Sequence, residues 1–351
     1  MVVYILLFLL LFFLSVVELC TNGIPNYIKI FLIILLTCLL GFRDDVGNDY
    51  HNYVDIFNHL DWHIDNIEPG FYYLCYYTKE VGLSHQFVFL ICSMLTLYPI
   101  AFVVNKVIPK YFCTALSVYV FSYIFFEAMN TVRQAVAMSF FLLAFYYYSI
   151  LRNIYKSLFA ILLGFLFHKT ILIIALIGYI IYRFRSKIGV RFCIFALILS
   201  FVIGISLNSY VDYLKLISSA LGYDIAYFDS IEKRGVSGGT FQIYLNLTIF
   251  YILLFKRRLF SQDNNISKSI TLCYIYAVFI YNIFISFYIG LRFYWYFYIF
   301  LILLIPELLK RIRLKYRPLY FVAMVFIMII YTYVSLKSQY YIEYNMDFNL
   351  F

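Results

Sequence analysis

Gly41–Tyr53 reads GFRDDVGNDYHNY. It gathers an arginine (Arg43), three aspartates (Asp44, Asp45, Asp49), a histidine (His51), two tyrosines (Tyr50, Tyr53) and two glycines (Gly41, Gly47). Transfer of a group to a hydroxyl needs a base for the hydroxyl proton, and Asp44, Asp45 and Asp49 are the candidates. An arginine offers a permanently charged planar fork that suits phosphate oxygens. Two further arginines, Arg133 in NTVRQ and Arg292 in GLRFYWY, stand at the starts of apolar runs. A cation at a helix start opposes the helix dipole, and an anion bound there by the same N–H groups would explain it. For each arginine alone, snorkelling or pairing with Glu127 or an aspartate is the ordinary alternative. Three on one face favour a diphosphate site.

Gln134 beside Arg133, the flat rings of Tyr50 and Tyr53, and His168 in FHKT complete the candidate contacts. A lone histidine in an apolar run is more often a satisfied core residue. A position at an exposed turn makes His168 a candidate substrate contact. His51, His59 and His63 have no spacing that demands a metal, and the seven cysteines form no C-x-x-C pair. No metal and no cofactor is expected. RGVSGGT (234–240) lacks the lysine of a phosphate-binding P-loop and reads as a flexible loop.

The elements that must hold these groups are hydrocarbon-soluble. The 351 residues are 65% hydrophobic and 13% charged, with a mean hydropathy of +0.88. A water-soluble domain cannot cover that much apolar surface. Continuous apolar runs, rather than alternating ones, predict helices instead of a barrel. The expected fold class is an all-α polytopic membrane protein, a single integral membrane domain over 1–351. It would have about 11–12 transmembrane or re-entrant helices and two longer outer loops, 42–70 and 208–239. MVVYILLFLLLFFLSVVELC lacks a basic start and a small-residue cleavage site, so it reads as a retained first helix, Val2–Leu19.

Further spans are predicted at Tyr27–Gly41, His85–Val104, Tyr111–Phe126, Val132–Ile150, Arg191–Leu207, Thr240–Phe255, Ser269–Tyr288, Leu291–Leu309 and Leu319–Leu336. An interfacial helix is predicted at Phe71–Leu83. The net charge of +9 does not point to nucleic acid, because most lysines and arginines fall in short loops on one side, as the positive-inside rule expects. That side holds the Gly23 turn, Lys106, Lys110, Arg152, Arg183–Arg191, Lys256–Lys268 and Lys310–Arg317. Arg152 and Arg183 both belong there, so the run between them must go out and return. Ser157–Phe167 and Thr170–Tyr182 are predicted as two half-length arms turning at His168-Lys169. Both termini then lie outside, on the side of Arg43, Arg133, His168 and Arg292.

FRDDVGNDYHNY, EPGF (Glu68–Phe71), NTVRQAVAMSFFLLA (Asn130–Ala144), FHKT (Phe167–Thr170) and LRFYWYF (Leu291–Phe297), in this order, resemble the EpsG family of bacterial exopolysaccharide and O-antigen synthesis, which includes Wzy-type polymerases. The resemblance covers most of the chain. Asn48 stands where the family often has threonine. It implies a membrane glycosyltransferase, independent of metal, that joins undecaprenyl-diphosphate-linked oligosaccharide repeat units into O-antigen, capsule or exopolysaccharide at the periplasmic face of the cytoplasmic membrane. A GT-C-like helical fold is left open. In that picture the lipid lies among the helices, the diphosphate near Arg133 and Arg292, and sugars over the tyrosine-rich outer surface. A chain-length regulator protein is a further candidate partner. The alternatives are a flippase for the same lipid-linked sugar, which should show internal repeats, and a membrane sugar acyltransferase, which should show a buried catalytic histidine with an acyl donor.

Overall fold

The computed structural model describes residues 1–65, 67–209, 242, 245–249, 265–285, 288–337 and 344–350. The fold is all-α and polytopic. The helices are α1 Val2–Thr21, α2 Asn26–Gly41, α3 Tyr50–Asn58, α4 Pro69–Glu80, α5 His85–Val107, α6 Phe112–Phe121, α7 Ile124–Asn130, α8 Val132–Ser149, α9 Ile154–Phe165, α10 Ile171–Phe184, α11 Val190–Ser209, α12 Asn265–Phe284, α13 Tyr288–Tyr298, α14 Leu301–Lys310 and α15 Arg317–Lys337. Two short strands, β1 Arg43–Asp44 and β2 Asn345–Met346, pair antiparallel, Arg43 opposite Met346. Among the described residues five helices are long and apolar enough to cross a membrane, or six if the bent pair α6–α7 counts as one span. α2, α9, α10 and the Val190–Gly204 part of α11 are apolar but shorter.

The chain gathers into two compact units, Met1–Leu176 with Leu301–Phe351, and Ile177–Phe300. In the first unit the two ends of the helices differ in chemistry. At one end Tyr4 packs its ring 5.2 Å from Phe126 and 5.4 Å from Tyr344, and β2 lies on β1. Met1 and residue 350 therefore share the end that carries Arg43. At the other end Arg317 donates to Asn22 at 3.3 Å, and Lys29 donates to the Pro109 carbonyl at 3.1 Å. These bonds gather the Gly23, Lys106–Lys110 and Lys310–Arg317 turns, as their shared charge predicts.

Glu18 is fully buried in α1 and caps α6 at the basic end. Its carboxylate accepts the Cys113 N–H at 2.9 Å, and the Thr114 N–H and Oγ1 at 2.8 Å each. An acid at the positive end of a helix is well placed, and three donors satisfy it away from water.

Two expectations change. The run 111–126 is not one helix: α6 and α7 bend by 54° at Tyr123, whose φ of +69° is left-handed. Apolar surroundings require the freed backbone to find partners. Thr332 Oγ1 donates to the Phe121 carbonyl at 2.7 Å, and Ser122 Oγ to the Val118 carbonyl at 2.6 Å. The run 291–309 does form one candidate span, Gly290–Lys310, with a turn at 299–300 between α13 and α14. The 42–70 loop holds α3 and a 3-10 turn, Leu60–His63. Tyr50, Tyr53 and Phe57 form the buried stripe of α3, spaced for one helix face. The half-length arms do form, as α9 and α10, with Leu166–Thr170 between them. The 208–239 loop lies outside the described residues beyond Ser209, as does the Thr240–Phe255 span except for 242 and 245–249.

In the second unit a polar knot joins the helices. The fully buried Asn282 accepts from Gln242 (3.0 Å) and Asn246 (2.9 Å) and donates to Ser200 (3.0 Å). Gly204 allows close approach, since a Cβ there would sit 2.0 Å from the Asn282 carbonyl oxygen.

Replacing Glu18 by alanine leaves two buried N–H groups at the start of α6 without their acceptor. The expected cost is about 1–3 kcal/mol, read as a lowered thermal midpoint in detergent, with Glu18→Gln intermediate.

Candidate functional site

Arg43 follows the end of α2. Its side chain is 1% exposed. Nη1 donates to the Leu40 carbonyl at 2.5 Å, and Nη2 to the Met129 carbonyl at 3.1 Å. Those carbonyls belong to the last turns of α2 and α7, the negative ends of two helices, where a cation is favoured. The guanidinium lies over the Phe89 ring, 4.3 Å from its centroid. The Gln86 side chain holds the Arg43 backbone carbonyl at 2.9 Å. The sequence suggests a substrate contact at Arg43. The structure places it behind the surface, joining α2, α5 and α7.

Residues 44–49 turn over this base. Asp45 (φ +51°) and Gly47 (φ +101°) both adopt left-handed backbone, and Val46 is fully buried. Asn130 Oδ1 accepts the Asn48 N–H at 2.8 Å. The same oxygen would lie 3.0 Å from a Cβ on Gly47, so only glycine fits without strain. The three aspartates then part company. Asp44 is partly buried and accepts from the Tyr50 hydroxyl at 2.9 Å. That hydroxyl also meets His85 Nε2 at 3.1 Å. Burial first, and then the Asp44 carboxylate, raise the Tyr50 phenol far above its usual range, so it stays a donor. Asp45 is exposed and pairs with His51 at 2.7 Å. Asp49 sits at the N-cap of α3, with Asn52 Nδ2 3.3 Å away.

A second cluster adjoins through α3 and α8. Glu68 Oε2 lies 2.5 Å from Arg133 Nη1, and Glu68 Oε1 accepts the Lys169 N–H at 3.4 Å. The Gly70 N–H donates to the Leu166 carbonyl at 2.8 Å. A Cβ on Gly70 would come within 2.7 Å of that carbonyl oxygen. Phe71 lies beneath the Arg133 guanidinium (5.8 Å) and against Tyr53 (5.7 Å). Tyr53 is buried and its phenol is raised, by burial foremost, with Arg133 alongside acting to lower it. Arg133 keeps 23% of its side chain exposed. His168 bonds Thr170 Oγ1 through Nδ1 at 2.7 Å. Gln134 is buried in α8.

One end of the first unit thus brings together Asp44, Asp45, Asp49, Tyr50, Tyr53, Arg133 and His168, from three separated stretches of sequence. Arg292 lies in α13 of the second unit. The sequence-based site set leaves out Glu68, Asn130 and His85. Glu68 and Asn130 lie inside the EPGF and NTVRQ runs, and that was their only signal. His85 had none, because its contact crosses from α5 to α3. Among the described residues no three His, Cys, Asp or Glu gather as metal ligands.

The model of the EpsG family matches residues 26–346. The chain belongs to the EpsG family. No curated protein and no solved structure matches it. The matched stretch spans both clusters, the broken α6–α7 pair and the strand pairing of β1 with β2. Membership ties this multi-pass chain to polysaccharide synthesis. In this EpsG-family protein the motif residues divide into those that fix backbone (Arg43, Gly47, Gly70, Asn130) and those that keep a polar face to the surface (Asp44, Asp45, Asp49, Arg133).

Gly70→Ala forces the 68–71 turn away from Leu166 and loosens the Glu68–Arg133 pair. A loss of activity of tenfold or more is expected at near-normal protein level, in roughly the range of a 1–3 kcal/mol overpacking cost. The check is surface polysaccharide yield per unit of this protein in the membrane. Glu68→Ala, which leaves Arg133 half-buried without its carboxylate, should cost more stability than Glu68→Gln, as read by thermal unfolding in detergent.

Proposed function

We propose that this protein is a polysaccharide polymerase, a membrane glycosyltransferase that joins undecaprenyl-diphosphate-linked oligosaccharide repeat units at the outer face of the bacterial cytoplasmic membrane. The observation that carries this reading is the convergence of the RDDVGNDY, EPGF, NTVRQ and FHKT motifs at the end of the first unit opposite its lysines and arginines. The positive-inside rule puts that end outside.

In this reading Asp44 takes the proton from the acceptor hydroxyl of the incoming unit. It is partly buried and already receives a hydrogen bond from Tyr50, which aims the carboxylate and leaves its second oxygen for the sugar. Asp45, which is exposed, and Asp49, part-buried like Asp44, line the approach of the glycan. Arg133 meets the diphosphate of the donor with its exposed edge. The Glu68 carboxylate holds the rest of the fork, so the cation stays positioned before substrate arrives. The new glycosidic bond forms as the sugar–phosphate bond breaks, and undecaprenyl diphosphate leaves with the electron pair. Arg43 acts as a positioning residue here, keeping the 44–49 turn fixed. Gln134 and His168 are positioned by α8 and the 166–170 turn to support Arg133 and the glycan edge.

The test is the banding pattern of surface polysaccharide in a deletion strain, complemented with wild type, Asp44→Asn or Arg133→Ala. A single-repeat band in the deletion, restored to a ladder by wild type but not by either variant present at wild-type level, is the expected result. Loss of all repeat-bearing material would move the protein upstream, to the flippase step. An unchanged ladder would rule out the polymerase.

A further inference from the structure

The end of the first unit opposite the candidate site holds a groove of about 310 Å3 between α2 and α5, closed at its head by α6. Ile30, Ile33, Tyr98, Ala101 and Phe102 line its length, and Asn26, Lys29 and Asn105 its head. Ile30 and Tyr98 are 56% and 68% exposed, an apolar flank that among the described residues stays uncovered and that lipid chains suit. At the head, Lys29 donates to Asn105 Oδ1 at 3.0 Å and to the Pro109 carbonyl at 3.1 Å. Both partners are neutral. An ammonium has three N–H donors, and no carboxylate pairs with Lys29 among the described residues.

The helix that carries Lys29 adds to the same charge. α2 begins after Pro25 with no side-chain cap and no acid in its first turn, so its N-terminal N–H groups and the lysine present positive potential together. The start of α6, in the same unit, has its anion supplied by Glu18. α2 has no such carboxylate.

Length sharpens the point. The 16 residues of α2 rise about 24 Å, against a hydrocarbon core of ~30 Å. The neighbouring α5 has 23 residues. α2 is therefore shorter than the hydrocarbon core, and a bilayer that brings polar atoms toward its polar head relieves the mismatch.

We propose that this groove binds one anionic glycerophospholipid, with its phosphate on Lys29, Asn26 and the start of α2, and one acyl chain between Ile30, Ile33, Tyr98 and Phe102. Exposed Lys106 and Lys110 beside it repel no anion and favour an acidic headgroup over a zwitterionic one. The site is separate from the glycan chemistry and stands whether or not the polymerase reading does.

The experiment is native mass spectrometry of the delipidated full-length protein with phosphatidylglycerol or phosphatidylcholine of identical chains. Wild type should retain phosphatidylglycerol about fivefold better, roughly one basic side chain's worth of headgroup attraction. Lys29→Gln should abolish that preference, Lys29→Arg should keep it, and the double variant Lys106→Gln/Lys110→Gln should keep most of it. Equal retention of the two lipids by wild type overturns the proposal. So does a double variant as defective as Lys29→Gln, which would mean diffuse surface attraction and not a site. A monodisperse gel-filtration peak for each variant separates these outcomes from misfolding.

Discussion

A buried guanidinium between two helix C-termini holds the candidate site together. Arg43 gives its N–H groups to the last turns of α2 and α7 and rests on Phe89 of α5. A charge this deep is costly unless its donors are met. Here the partners are carbonyl dipoles that would themselves lack donors at a helix end. Each deficit answers the other. The 44–49 turn inherits its position from this joint. Asp44 is the next residue, and Asn130, one residue past the Met129 carbonyl, closes the turn from the other side.

The break in the α6–α7 span belongs to the same design. A straight helix would carry Met129 and Asn130 further along the axis of α6. The 54° bend turns them toward α2. The bend needs partners for the freed backbone, and Thr332 of α15 supplies one. The C-terminal segment adds another tie, since Tyr344 bonds the Leu39 carbonyl and Asp347 N–H bonds the Phe42 carbonyl at 2.9 Å. The loop is thus braced by helix ends and by a strand from the far end of the sequence. Loops that carry chemistry do so from a rigid support.

The charged groups of the first unit are treated in two ways. Glu18 and Arg43 are enclosed, and the bonds they make go inward, to backbone N–H groups and the Thr114 hydroxyl for Glu18 and to two helix-end carbonyls for Arg43. Arg133 and Asp44 are held by one partner and keep an open side. Only the second kind can meet a ligand without dismantling the fold. That distinction supports reading Arg133 as the anion contact and Arg43 as its scaffold. Lys29 resembles the second kind at the other end, where the surrounding solvent is lipid.

The sequence by itself determined the membrane setting, the helical class, the shared end of the two termini and the half-length arms around His168-Lys169. Each of these rests on composition or on charge placed along the chain, and such signals need no knowledge of neighbours. The family, too, was legible from runs of residues in order. The role of each charged residue was not. Arg43 and Arg133 look alike in sequence, and only packing buried one and left the other an open edge. Helix α3 was hidden because its stripe of Tyr50, Tyr53 and Phe57 lies among charges that read as loop. The contacts of Glu68, Asn130 and His85 join segments far apart in the chain. Whether a side chain contacts substrate or backbone is set by what lies across from it, and that is decided only when the helices pack.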